Sequence, residues 1–159
     1  MTPKLSIPDR VALGLVAGLA GTIVMTLGQT IEMALSGRPP SKVPAKAVEE
    51  VSGVDLATAK DEERASMPVH FGYGTALGAA LAAGDRLHPA VRTAAFFGFA
   101  WTAGAAITTG LGLSKPPHEQ DARSLLTDVG HHIVYAVTAG SAYALLRRAA
   151  ARRQRGLAA

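Results

Sequence analysis

Charged residues are missing from four stretches of the chain, 11–31, 65–84, 93–114 and 129–146, which hold 21, 20, 22 and 18 residues. The segments between and around them carry all 28 Asp, Glu, Lys and Arg residues. An amphipathic helix of a soluble domain returns a polar residue to its outer face every three or four positions. The first and third stretches show little of that. About 20 helical residues, at roughly 1.5 Å each, match the ~30 Å hydrocarbon core of a bilayer. The pattern therefore predicts an all-α fold, a bundle of four transmembrane helices over about 11–35, 67–84, 91–113 and 125–146, forming one membrane domain across residues 1–159.

Helix punctuation sharpens these boundaries. Ser6, Pro8 and Asp9 form a start signal for the first span, and Gly37 before Arg38-Pro39-Pro40 is a stop. Residues 37–66 then form a polar connection with six acids and five bases, in which Pro44 to Val51 predicts a short amphipathic helix ended by Gly53. The second span is expected to open at Met67-Pro68. The link from Asp85 to Arg92 is short enough to make spans two and three antiparallel neighbours. A basic tail, 147–159, follows the last span. If both termini face the cytoplasm, the inner segments hold nine Lys and Arg residues against seven outside, with Asp9 and Asp85 as the inner acids. The positive-inside rule then favours an N-in, C-in topology.

Composition changes this picture in three ways. The mean hydropathy of +0.21 is low because Ala and Gly together make 48 of the 159 residues, but small residues let helix backbones approach closely in lipid. The absence of cysteine excludes disulfides, thiolate chemistry and Cys-ligated metal clusters. The net charge of +4 comes with a terminal arginine cluster, Arg147, Arg148, Arg152, Arg153 and Arg155. Placed directly after a span, that cluster reads as a topology determinant near anionic lipid, and nucleic acid is not expected as a partner. The first stretch has no small-residue cleavage pattern before a polar segment, so it reads as a retained span.

The candidate chemistry is sparse. Gly14, Gly18 and Gly21 make a small-residue stripe on the first span, and Gly74 and Gly78 another on the second, the pattern of close helix packing. His70, His131 and His132 lie inside charge-free stretches, where an imidazole is costly unless it pairs, binds a metal or faces water. Asp128 and Tyr135 share a stripe with one of the last two histidines, Tyr73 follows His70, and Gln29 and Glu32 reach a similar depth on the first span. Three readings fit this polar layer: a hydrogen-bond network, a haem or divalent-metal site using His70, His131 and His132, or a proton-coupled site for a polar substrate. No cofactor is required by any motif. No nucleophile elbow, P-loop or dinucleotide fingerprint is present, so enzymatic activity is not expected. Trp101, in mid-span, is expected to pack between helices, and Thr22 and Thr26 to return their hydroxyls to their own backbone.

The run from Gly14 through Met25-Thr26, the following Gly37-Arg38-Pro39-Pro40-Ser41 and Pro44, the stretch His70-Phe71-Gly72-Tyr73-Gly74-Thr75 and the late His132-Ile133-Val134-Tyr135 resemble a family of small bacterial inner-membrane proteins of the YagU type. The resemblance spans most of the chain through glycines and small residues. It implies a multi-pass protein of the bacterial inner membrane without an assigned enzymatic activity, and it transfers no binding residues. Together with the glycine stripes it suggests an accessory role, packing against the bilayer and either a second copy or another membrane protein.

Overall fold

The computed structural model describes residues 5–156. These form five α-helices, α1 (Ile7–Ser36), α2 (Val43–Ser52), α3 (Ala59–Gly78), α4 (Pro89–Gly110) and α5 (Ala122–Gly156), with no strand among the described residues. A 3-10 turn, Ala79–Ala82, prolongs α3, and a second, Pro117–Glu119, lies in the α4–α5 connection. α1 packs against α3 and α5, and α5 packs in turn against α4.

The ends of α1 follow directly from its sequence. The Ser6 side chain accepts from the Asp9 N–H at 3.2 Å and the Asp9 carboxylate accepts from the Ser6 N–H at 3.3 Å, a reciprocal cap with Pro8 in the first turn. Gly37 closes the helix at φ 69°, a left-handed position suited to glycine, and its N–H reaches the Met33 carbonyl. α2 occupies Val43–Ser52 with Gly53 at φ 70°, close to the expected Pro44 to Val51.

The start of the second long helix differs from the sequence expectation. α3 begins at Ala59, not at Met67-Pro68, and Pro68 sits inside it. The Thr58 hydroxyl caps the Asp61 N–H at 3.2 Å, Asp61 and Glu62 favour the helix N-terminus, and Lys42 ties Glu62 to the α2 side at 2.7 Å. These contacts outweigh the local cost of the proline. The connection 37–66 is accordingly mostly helical. The basic tail is helical as well, since α5 continues through its arginines to Gly156.

Two helices, α1 and α4, are long and apolar enough to cross a membrane. α3 falls short because its first turns carry Lys60 to Arg64 and its second half is diluted by His70, Tyr73, Thr75 and three glycines, and α5 is diluted by His, Ser, Thr and its arginines.

Large and small side chains are distributed inside out. The face that α1 buries consists of Gly14, Ala17, Gly18, Gly21, Thr22 and Met25, whereas Leu15, Val16, Leu19, Ile23, Leu27 and Ile31 point outward. α4 likewise leaves Val91, Phe99 and Ile107 outside, and α5 leaves Ile133, Val134, Val137 and Leu145. In water, each large apolar side chain left outside forgoes about 1.5–3 kcal/mol of burial.

Glycine makes this interior. A Cβ at Gly14 would stand 2.6 Å from the Gly78 carbonyl oxygen, and one at Gly18 would stand 2.7 Å from the Gly74 oxygen and 2.8 Å from the Gly78 Cα. Both neighbours are backbone, so α1 and α3 touch main chain to main chain. Gly21 faces α5 instead, where a Cβ would come within 2.9 Å of the Tyr135 carbonyl oxygen. On the α4–α5 seam, Gly140 receives Thr93. Thr22, Thr26 and Thr30 donate to the carbonyls four residues earlier, at 2.8–2.9 Å, and so satisfy their hydroxyls within α1.

Candidate functional site

The end of the bundle where α1 finishes and α5 begins holds a pocket of about 460 Å³. Gln29, Glu32, Arg38, Arg123, Asp128 and His131 supply its charged and amide groups, with Ser36, Ser41, Ser124 and Thr127 between them. Local structure explains the convergence. Gly37 turns the chain back, so that Arg38 reaches Glu32 with Nη2 2.6 Å from Oε2 and Nε at 3.1 Å from the same oxygen. Across the pocket, the Asp121 carboxylate caps α5 through the Ser124 N–H at 3.0 Å and fixes the start of the helix that carries Arg123, Asp128 and His131. Contact with the Ser124 hydroxyl and backbone N–H holds the Asp121 carboxyl below its usual range.

Asp128 forms one wall of the pocket. Its Oδ2 accepts from Trp101 Nε1 at 2.9 Å, a contact from α5 to α4, and its Oδ1 lies 3.3 Å from His132 Nδ1. The same nitrogen is 2.9 Å from the Asp128 carbonyl oxygen. Both partners of His132 Nδ1 are acceptors, so that nitrogen carries the hydrogen. Its Nε2 faces Gly104, where an added Cβ would meet it at 3.7 Å. Trp101 thus joins two helices through its indole nitrogen.

The three histidines do not share one site. His131 lines the pocket. His132 is held by Asp128, and His70, on α3, lies against α1 with its Nε2 3.2 Å from the Thr26 hydroxyl. The Thr26 hydrogen is already given to the Thr22 carbonyl, so its oxygen accepts and His70 Nε2 donates. Among the described residues, no three His, Asp or Glu side chains converge as metal ligands. Tyr135 lies deeper, buried, and donates to the Gly74 carbonyl oxygen at 2.6 Å, bridging α5 to α3. Tyr73 does not line the pocket. It lies on α3, 36% exposed. Of the polar residues singled out in the sequence, the pocket collects Gln29, Glu32, Asp128 and His131.

Sequence reasoning overlooked Arg38 and Arg123 as pocket residues, although Gly37 followed by arginine already implied a turn back on the helix end. It also overlooked a second polar cluster at the opposite end. There Asp85 receives Arg147 Nε at 2.7 Å, the Tyr143 hydroxyl at 3.1 Å and Arg10 at 3.7 Å, while Arg92 lies over the Tyr143 ring at 4.8 Å. A single acid placed among basic flanks was the available signal. A further recess of about 490 Å³ between α4 and α5 is lined mainly by apolar residues such as Phe97, Ile133 and Val137, and holds none of the polar-layer residues. No family model, curated protein or solved structure matches the chain.

Proposed function

We propose that this chain is a multi-pass protein of the bacterial inner membrane, with α1, α3, α4 and α5 as spans, both termini inside, and a pocket at its outer end that binds a small polar solute. The inside-out side-chain distribution supports the membrane part of this reading. Glycine, alanine and threonine line many of the buried helix contacts, around a core that includes Leu81, Phe96, Tyr135 and Tyr143, while many large apolar residues cover the outside, an arrangement that suits packing in lipid. The resemblance to proteins of the YagU type belongs to the same proposal.

The observation that carries the binding reading is the set of charges in the pocket. Glu32 and Asp128 already have partners, whereas Arg123 and His131 face the cavity from α5. Groups of both signs around about 460 Å³ suit a small carboxylate, phosphate or zwitterion. Beneath the pocket, Met25, Phe96, Ala100 and Tyr135 pack into one cluster. That closure favours binding over a continuous conduit.

The association role suggested by the glycine stripes would need a different surface. Gly14, Gly18, Gly21, Gly74 and Gly78 are all occupied within the chain, which leaves the outward faces of α1 and α4 for any partner.

The test is a thermal-shift screen of the detergent-purified protein against small carboxylates, phosphates and amino acids, repeated with Arg123→Gln and His131→Ala. Stabilisation of the parent chain by one solute class, lost in both variants, is the expected result. A screen without any stabilising solute, or variants that respond like the parent, contradicts the reading.

A further inference from the structure

The end of the bundle opposite the pocket holds a charge imbalance that the chain does not resolve internally. Arg92, in the first turn of α4, is 3% exposed, and its aliphatic stem packs on Gly84, where an added Cβ would stand 2.9 Å from Cγ. Its Nε is fully enclosed and has no hydrogen-bond partner among the described residues. The guanidinium instead lies over the Tyr143 ring, 4.8 Å from its centroid. A ring face satisfies part of the charge and none of the five N–H donors.

The nearest carboxylate of the cluster cannot supply them. Asp85 is already engaged by Arg147 at 2.7 Å, by the Tyr143 hydroxyl at 3.1 Å and by Arg10 at 3.7 Å, with its own side chain only 11% exposed. Two guanidinium groups, from α1 and α5, therefore flank one acid, and a third, Arg92 of α4, lies over the tyrosine bonded to that acid. Burying a charge is costly unless it is paired and hydrogen-bonded, and planar guanidinium forks match the oxygens of a phosphate or carboxylate.

We propose that this cluster is a binding site for a phosphate-type oxyanion, with Arg92 as its buried anchor and Arg10 and Arg147 as its rim. Asp85 holds the two rim arginines in place, and Tyr143 orients the anchor from below. The anion comes either from the headgroup of an acidic phospholipid at the membrane surface or from free phosphate. The site is separate from the polar pocket at the other end. Only the lipid source rests on the membrane reading.

The test uses the full chain. In one arm it is placed in nanodiscs of phosphatidylglycerol or of phosphatidylcholine, and retained lipid is counted by native mass spectrometry. In the other arm inorganic phosphate is titrated into the detergent-purified protein, with chloride as control, and thermal stability is followed. Retention of phosphatidylglycerol at least about tenfold above phosphatidylcholine, with no response to phosphate, identifies the headgroup; stabilisation by inorganic phosphate identifies the free anion. In either case Arg92→Gln abolishes the effect and Arg92→Lys weakens it. Arg147→Gln, on a half-exposed rim residue, reduces it and serves where Arg92→Gln does not fold. The double variant Arg152→Gln/Arg153→Gln, in the helical tail, leaves it intact. Equal retention of both lipids together with no phosphate response overturns the proposal, as does an Arg147→Gln or Arg92→Lys protein that binds like the parent. A chain that leaves the membrane on alkaline carbonate washing but still responds to phosphate separates failure of the membrane reading from failure of this site.

Discussion

Substituting glycine by alanine at two kinds of position should move stability in opposite directions. At Gly18 an added Cβ would stand 2.7 Å from the Gly74 carbonyl oxygen and 2.8 Å from the Thr75 oxygen and the Gly78 Cα. Ordinary contact begins near 3.4 Å, so α1 and α3 must part locally by about 0.7 Å, a gap that forfeits roughly a quarter to a half of each atom pair's dispersion energy. Two backbones cannot rotate away as a side chain can. Overpacking of this kind costs about 1–3 kcal/mol, while the alanine itself returns up to about 1 kcal/mol of helix propensity. Gly18→Ala should therefore be destabilising, by up to about 3 kcal/mol. At Gly98 of α4 nothing lies within 4 Å, so Gly98→Ala should be stabilising by up to about 1 kcal/mol. Reversible unfolding in mixed micelles, followed by circular dichroism, measures both. A Cβ at Gly78 would in turn meet Gly18 at Cα, so Gly18→Ala and Gly78→Ala should be non-additive in combination. A Gly18→Ala protein as stable as Gly98→Ala would refute the main-chain contact between the two helices.

Three further outcomes follow from side-chain contacts. Tyr135→Phe removes the 2.6 Å bond to the Gly74 carbonyl and should cost about 0.5–1.5 kcal/mol in the same unfolding assay, with no change in helix content. Trp101 is the only tryptophan, so its fluorescence reports the Asp128 contact directly; Asp128→Leu should shift the emission, and an unchanged spectrum would contradict that hydrogen bond. Asp121 has its carboxyl lowered by Ser124, so its cap is present above the unfolded value of 3.8 and is lost as pH falls through the lower folded value. Protection of the Ser124 amide, measured against its intrinsic exchange rate, should fall in that acidic window in the parent chain and be low at all pH values in Asp121→Ala.

How much of this was legible in the sequence depends on whether the signal is local. Charge-free stretches located α1 and α4, and Ser6, Asp9, Gly37 and Gly53 marked helix ends because caps act within a few residues. Glycines spaced by four showed which face of α1 and of α3 could approach another helix. They did not show that each stripe would meet the other, since that depends on the crossing of two helices. Pro68 looked like a start because a proline favours the first turn; the Thr58 cap and the Lys42 to Glu62 pair, which depend on where α2 docks, extended the helix past it. The polar layer was visible as unusual residues in apolar stretches, yet its division was not. His70 turns to Thr26 whereas His131 lines the pocket, and a partner of Asp128 is a tryptophan 27 residues away. Arg92 read as a base beside the membrane surface. Gly84 leaves room for its stem and Tyr143 provides a ring beneath it, so it is buried instead.

The central claim, a membrane bundle with the polar pocket outside and the arginine cluster inside, is tested most directly by cysteine labelling. The chain has no cysteine, so each introduced one is unique. Ser52→Cys and Ser114→Cys, in the two segments assigned to the outside, should react with a membrane-impermeant maleimide on intact spheroplasts. Ala151→Cys in the helical tail should react only after permeabilisation. Labelling of all three from outside, or of none until the membrane is breached, would contradict the four-span arrangement.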